Sequence, residues 1–328
     1  MNLLLIIMIV SSMILAFAIG ANDETYASIV GIKRLSVNVA VILGAIVALF
    51  GAFFFAPRIC ETLQNDLSSL NIAENKIIFA IFLAMATSLI LASVFGLPIS
   101  STESMLGAIL GLTIAHQEQI YWSFRGLGKI LFTWLISPIL GFSLSFILMK
   151  ILNKILQKYI QGFAAYETSN EIFSSSLLIL LIIIGLSRSG NDLCNAIAPI
   201  VPLFQKGEMT IFYQRLPMIL GGLALGAGLI IIGRRVLKTL GNEVVPLTPE
   251  SAFVTQAAAA LIIFIAVILG IPVSGTMVLV SSFVGAGVGA NKPVNYASVK
   301  LIAFFVFLTP VFSGLCAVGF YYLIDWVV

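Results

Sequence analysis

The sequence predicts an all-α polytopic membrane protein made of two inverted repeats, with interrupted helices and re-entrant, hairpin-like short segments. Three observations predict it. The chain of 328 residues is 60% hydrophobic and 9% charged, with a mean hydropathy of +1.12, whereas about a quarter of the residues in a soluble domain are charged. Its apolar runs follow the same order twice. An Asn-Asp pair follows the first run of each half, Asn22-Asp23 after Leu3 to Ile19 and Asn191-Asp192 after Phe173 to Leu186. Ionisable groups at membrane depth are rare and mark ion or substrate pathways.

In the first half the runs read as a span at 3–19, a short piece at 21–32, spans at 37–56 and 77–97, a short piece at 99–115 and a span at 130–149. The second half repeats them as a span at 172–187, a short piece at 191–204, spans at 216–232 and 252–271, a short piece at 273–290 and a span at 299–324. The spans have about the 17 to 25 residues that a helix needs to cross hydrocarbon, and the short pieces are expected to stop part-way or turn back. Residue-level matches support the repeat. Asn22-Asp23 lies 169 positions before Asn191-Asp192, and Arg58-Ile59-Cys60-Glu61-Thr62-Leu63 lies 177 before Arg235-Val236-Leu237-Lys238-Thr239-Leu240. Gly96-Leu97-Pro98-Ile99-Ser100-Ser101-Thr102 lies 174 before Gly270-Ile271-Pro272-Val273-Ser274-Gly275-Thr276, and Ser137-Pro138 lies 172 before Thr309-Pro310. The expected organisation is a first repeat at 1–149, a polar cytoplasmic linker at 150–171 and a second repeat at 172–328.

Composition excludes several classes. No basic run is long enough for nucleic acid. The first residues lack the positive region of a secretory signal, so Leu3 to Ile19 reads as a retained span. Cys60, Cys194 and Cys316 are odd in number and irregular in spacing, which indicates neither a disulfide framework nor a metal site; they read as packing residues. His116 reads as a solvated loop residue. With the amino terminus outside, ten of the 17 Lys and Arg residues fall on the inner side and six outside, with Arg188 left within the membrane. That split accords with the positive-inside rule and with inverted repeats, a transporter arrangement whose site lies near the bilayer midplane.

The Pro-Ile-Ser-Ser-Thr stretch at 98–102 and the Pro-Val-Ser-Gly-Thr stretch at 272–276 put hydroxyls where short helices begin. Backbone N–H groups there lack intrahelical partners and the helix dipole is positive, so such an end caps itself or binds an anion. The expected anion contacts are Ser100, Ser101, Thr102, Ser274, Gly275 and Thr276, with Asp23 and Asp192 accepting the proton of a hydrogen phosphate. Sulfate has no such proton at neutral pH, which favours phosphate. Asn22, Asp23, Asn191 and Asp192 supply hard oxygen ligands that suit Na⁺. Glu61 and Glu103 are further candidates for a cation site, Arg188 could neutralise an oxyanion or pair with an aspartate, and Gln256 could be a polar contact or a helix–helix hydrogen bond. Glu24 is a further ionisable group beside the first pair.

These residues resemble the inorganic phosphate transporter (PiT) family, whose members carry a Gly-(Ala/Ser)-Asn-Asp signature in each of two inverted repeats. Gly20-Ala21-Asn22-Asp23 and Gly190-Asn191-Asp192 match it. Gly233-Arg234-Arg235-Val236, Thr239-Leu240-Gly241, Pro246 and Thr248-Pro249 are similar to the family's second repeat, and both Gly-(Leu/Ile)-Pro-(Ile/Val)-Ser stretches to its serine-threonine segments. The resemblance implies cation-driven phosphate uptake in the cell membrane, with Na⁺ as coupling ion, no other cofactor and no catalysis. Glu103 and Met277 stand where histidine is common, Gly275 replaces a hydroxyl residue, Arg188 adds a charge, and a long central loop is missing. Sulfate carriers share the framework, so a sulfate or other oxyanion permease, H⁺-coupled or not, is the alternative.

Leu97 to Thr102 and Ser187-Arg188-Ser189-Gly190 also look like motifs of the undecaprenyl pyrophosphate phosphatases. That enzyme would need a glutamate pair just upstream of Pro98, and Ile77 to Ser100 contains no acidic residue. The expected partners are phosphate, Na⁺ and the lipid bilayer, and a homodimer is compatible with the sequence.

Overall fold

The computed structural model describes residues 3–32, 35–68, 75–115, 127–160, 162–204, 211–268 and 273–327. Its first half contains α1 (Leu3–Asn22), a 3-10 turn at Ala27–Gly31, α2 (Val37–Ser68), α3 (Asn75–Val94), α4 (Ser101–Ala115) and α5 (Leu127–Tyr159). The second contains α6 (Phe163–Ile197), the short α7 (Val201–Phe204) and α8 (Ile211–Gln214), and α9 (Leu216–Gly228). A helix with two π-turns then continues from Leu229 to Val244 around α10 (Arg234–Lys238), followed by α11 (Pro249–Ile268), α12 (Gly275–Gly289) and α13 (Tyr296–Val327). Eight of the described helical segments are long and apolar enough to cross a membrane, while Ser101–Ala115 and Gly275–Gly289 are apolar but short. At 1.5 Å per residue, a helix of 15 residues reaches about 22 Å, less than the ~30 Å of hydrocarbon.

The halves exchange partners. α4 packs on α13 and α12 on α5; α1 packs on α9 and α6 on α2. The two members of each of these pairs of contacts are counterparts, as a two-fold relation requires. Lipid offers little hydrophobic drive to helix pairing, so small residues must let backbones touch. A Cβ on Gly20 of α1 would lie 1.9 Å from the Leu225 carbonyl oxygen of α9, and one on Gly228 would lie 2.0 Å from that of Phe17. Large apolar side chains such as Phe54, Ile139 and Phe304 are left exposed on the outer faces, where lipid is the fitting solvent.

The repeated sequence motifs have matching local chemistry. Ser137 Oγ donates to Thr133 O at 2.5 Å and Thr309 Oγ1 to Phe305 O at 2.7 Å, each one residue before a proline inside its helix. α3 ends in a Schellman motif. Leu97 N–H reaches Ala92 O and Gly96 N–H reaches Ser93 O, both at 2.9 Å, and Gly96 takes the left-handed φ of +71° that the motif needs. Arg235 Nη1 covers another terminal carbonyl, Val94 O, at 2.9 Å.

The segment at 150–171, expected as the linker, is mostly helical, since α5 runs to Tyr159 and α6 begins at Phe163. Two expectations change. The second short piece does not start at 191, because α6 passes through Asn191-Asp192 to Ile197. Cys60 and Cys194 are joined as a disulfide between α2 and α6, a pairing that irregular spacing across a separation of 134 cannot signal. Cys316 is free and half-buried. His116 lies outside the described residues.

Candidate functional site

Elements of both halves meet around one cavity of about 620 Å³ including its open mouth. Asn22, Asp23 and Glu24 enter from the end of α1, Ser100, Ser101 and Thr102 from the start of α4, Arg188, Asn191 and Asp192 from α6, and Gly275 and Thr276 from the start of α12. Ile19, Leu89, Ile99, Ile263 and Val273 form its apolar wall. Both halves contribute an Asn-Asp pair and a helix N-terminus.

The two N-termini are built alike. Ser100 Oγ accepts from Glu103 N–H at 3.3 Å, and Ser274 Oγ accepts from Met277 N–H at 3.3 Å. Each serine is therefore an N-cap bonded to the third residue of its helix. The N–H groups of the first and second helical residues, Ser101 and Thr102 in α4 and Gly275 and Thr276 in α12, point out of the helix end by geometry. Those four residues line the cavity together with Ser100, whereas Ser274 is a cap that does not line it.

Asn22 holds the loop that leads into α4. Its Nδ2 donates to Ser93 Oγ at 2.8 Å and Leu97 O at 3.0 Å, and its Oδ1 accepts from Ile99 N–H at 2.8 Å. This carboxamide, expected as a Na⁺ ligand, lines the cavity and also positions the Pro98 loop. Asp23 Oδ1 accepts from Thr25 N–H at 2.9 Å and Thr25 Oγ1 at 2.5 Å, a local turn that competes with helix and ends α1.

Charge gathers on the α6 side. Arg188 Nη2 donates to Glu24 Oε1 at 2.5 Å, and Arg188 Nε lies 3.4 Å from Asp192 Oδ2. Thr276 Oγ1 also donates to Glu24 Oε1, at 3.0 Å. Glu24 thus ties α1, α6 and α12 together. It was not expected among the site residues, although its place next to Asp23 and opposite a lone intramembrane arginine was the available signal.

Glu103 is fully buried behind the start of α4, with its carboxylate beside Ser274, the cap of α12. Gln256 Oε1 accepts from Ser28 Oγ at 2.9 Å, the helix–helix alternative, and does not line the cavity. Glu61 lies in α2, but its side chain is outside the described residues.

This arrangement can hold a small oxyanion between two helix N-termini and cations on the adjacent carboxylates. The profile of the Phosphate transporter family matches residues 19–317. The chain belongs to that family. A Pyrococcus furiosus protein named as a phosphate permease is 24% identical over 389 aligned positions, covering 96% of this chain and 94% of that protein. A Chlamydia trachomatis protein named likewise is 25% identical and covered to 99%, as is this chain. In fold, the chain matches the solved structure of a protein named "The sodium-dependent phosphate transporter" with a TM-score of 0.80 at 20% identity, over 100% of both chains. The family is one of transporters rather than enzymes, which sets the phosphatase resemblance aside, and this family member is a multi-pass membrane protein.

Proposed function

We propose that the chain takes up inorganic phosphate together with Na⁺ by alternating access. The cavity carries this reading, because it sets two capped helix N-termini from opposite halves beside Asp23 and Asp192. The N-termini offer N–H and O–H donors to a tetrahedral anion. The carboxylates would repel that anion unless cations were bound first, so anion binding would depend on cation binding. Asn22, Asp23, Asn191 and Asp192 serve as Na⁺ ligands, and a carboxylate also accepts the proton of hydrogen phosphate.

The two repeats, 1–149 and 172–328, would move against each other about this site, with 150–171 joining them. Inward movement of net positive charge gains about 2.3 kcal/mol per charge per 100 mV. The sodium dependence by which the solved transporter of like fold is named supports Na⁺ as the coupling ion.

The test is uptake of labelled phosphate and labelled sulfate into proteoliposomes under an inward Na⁺ gradient, a matched K⁺ gradient and a pH gradient. Phosphate accumulation that requires Na⁺ is expected. Sulfate uptake driven by the pH gradient would replace this reading with an H⁺-coupled sulfate permease on the same framework.

A further inference from the structure

Glu24 and Arg188 stand outside the repeat. With Asn22-Asp23 aligned on Asn191-Asp192, the counterpart of Glu24 is Leu193 and the counterpart of Arg188 is Ile19. One half carries an additional acid and the other an additional base, and the fold brings them together. Glu24 Oε1 receives Arg188 Nη2 at 2.5 Å and Thr276 Oγ1 at 3.0 Å, and Asp192 Oδ2 lies 3.4 Å from Arg188 Nε. The Glu24 side chain is 2% exposed, while those of Arg188 and Asp192, at 18% and 19%, border the cavity. Without the guanidinium there would remain a buried carboxylate with a threonine hydroxyl on it and a second carboxylate, all bordering the space the guanidinium leaves. Hard oxygens in such a set suit a small cation, and a buried carboxylate cannot be left uncompensated without a large desolvation penalty.

We infer that Arg188 is a tethered cation. Its guanidinium fills a position bounded by Glu24, Thr276 and Asp192 that would otherwise take Na⁺, so the phosphate site is loaded with fewer mobile Na⁺ ions. The inference rests on the Na⁺-coupled reading above and concerns how many ions that coupling needs. A guanidinium held by two carboxylates has its charge compensated within the protein, so Arg188 acts on the cation side of the site rather than as a ligand to the anion. Being covalently attached, it stays behind when Na⁺ and phosphate leave, and it lowers the charge moved per phosphate.

Arg188→Gln in the full chain tests this, with two readouts. In the first, thermal unfolding of the detergent-purified protein is followed in NaCl against KCl at constant ionic strength. Arg188→Gln is expected to be stabilised by Na⁺ more steeply than wild type, Arg188→Lys to respond as wild type does, and the double variant Glu24→Gln/Arg188→Gln to lose the added Na⁺ response. In the second, phosphate uptake into proteoliposomes is measured against Na⁺ concentration, and Arg188→Gln should show a steeper dependence, by roughly one further Na⁺ per phosphate. An unchanged Na⁺ response in both readouts overturns the inference, as does a weaker phosphate affinity at unchanged Na⁺ steepness, which would make Arg188 a phosphate ligand. If the single and double variants both fail to fold, the guanidinium is structural and the inference falls. If wild type takes up no phosphate but Arg188→Gln gains the Na⁺ stabilisation, the transport reading fails while the cation position stands.

Discussion

The same two residues, Asn-Asp, occur at matching places in both halves and end in different structures. At Asn22-Asp23 the helix stops, because Asp23 takes the Thr25 N–H and hydroxyl while Asn22 reaches across to α3 and the Pro98 loop. At Asn191-Asp192 the helix continues. The counterpart of Thr25 is Cys194, bonded to Cys60, and Asp192 turns to Arg188 four residues back, a spacing that favours helix. The motif itself therefore does not dictate a break. What surrounds the aspartate decides whether its carboxylate competes with the backbone or supports it.

If both aspartates hold coupling cations despite this difference, Asp23→Asn and Asp192→Asn should each reduce phosphate uptake by roughly two orders of magnitude, near the ~3 kcal/mol ascribed to a contact with a charged group. Asparagine can still accept from Thr25, so Asp23→Asn should keep its helix content. Labelled uptake and far-ultraviolet circular dichroism on the same preparations check both points. Near-normal uptake in either variant would remove that aspartate from the cation site.

The asparagines sharpen the contrast. Asn22 is buried with its amide and oxygen both bonded to the α3–α4 connection, so Asn22→Ala should lower stability by about 1–3 kcal/mol through orphaned polar groups. Asn191 is exposed on α6, and Asn191→Ala should stay within about 0.5 kcal/mol of wild type in stability while weakening Na⁺-dependent uptake. Thermal unfolding against uptake separates the two effects. Equal destabilisation by both would mean that the asparagines are equivalent after all.

Much of this was legible from the residues. The eight spans followed from run length, and the paired serine-threonine stretches marked the two helix starts because proline and hydroxyl residues have a specific place in a first turn. Their offsets marked the repeat. The helical course of α6 was not legible, since the competing contacts of Asp23 and Asp192 depend on Thr25 and Arg188 rather than on the shared pair. Nor was the Cys60–Cys194 link, which requires α2 and α6 to be neighbours. Glu24 escaped notice as a site residue because it has no counterpart in the repeat, and its role depends on Arg188, 164 positions away.

The smallest expected effect concerns the two caps, where the halves are alike in structure but not in exposure to the cavity. Ser100→Ala and Ser274→Ala each remove one bond to the third N–H of a helix, and each should cost about 1 kcal/mol. Ser100 also lines the cavity and Ser274 does not. Ser100→Ala should therefore weaken half-saturation by phosphate several-fold, on the order of the ~1 kcal/mol of one neutral hydrogen bond, with the Na⁺ dependence unchanged. Ser274→Ala should leave both closer to wild type at a similar loss of melting temperature. Concentration series in phosphate and in Na⁺, run beside thermal unfolding, distinguish the roles. A larger effect of Ser274→Ala on phosphate would assign anion binding to α12, and the α4 hydroxyl would then be a cap alone.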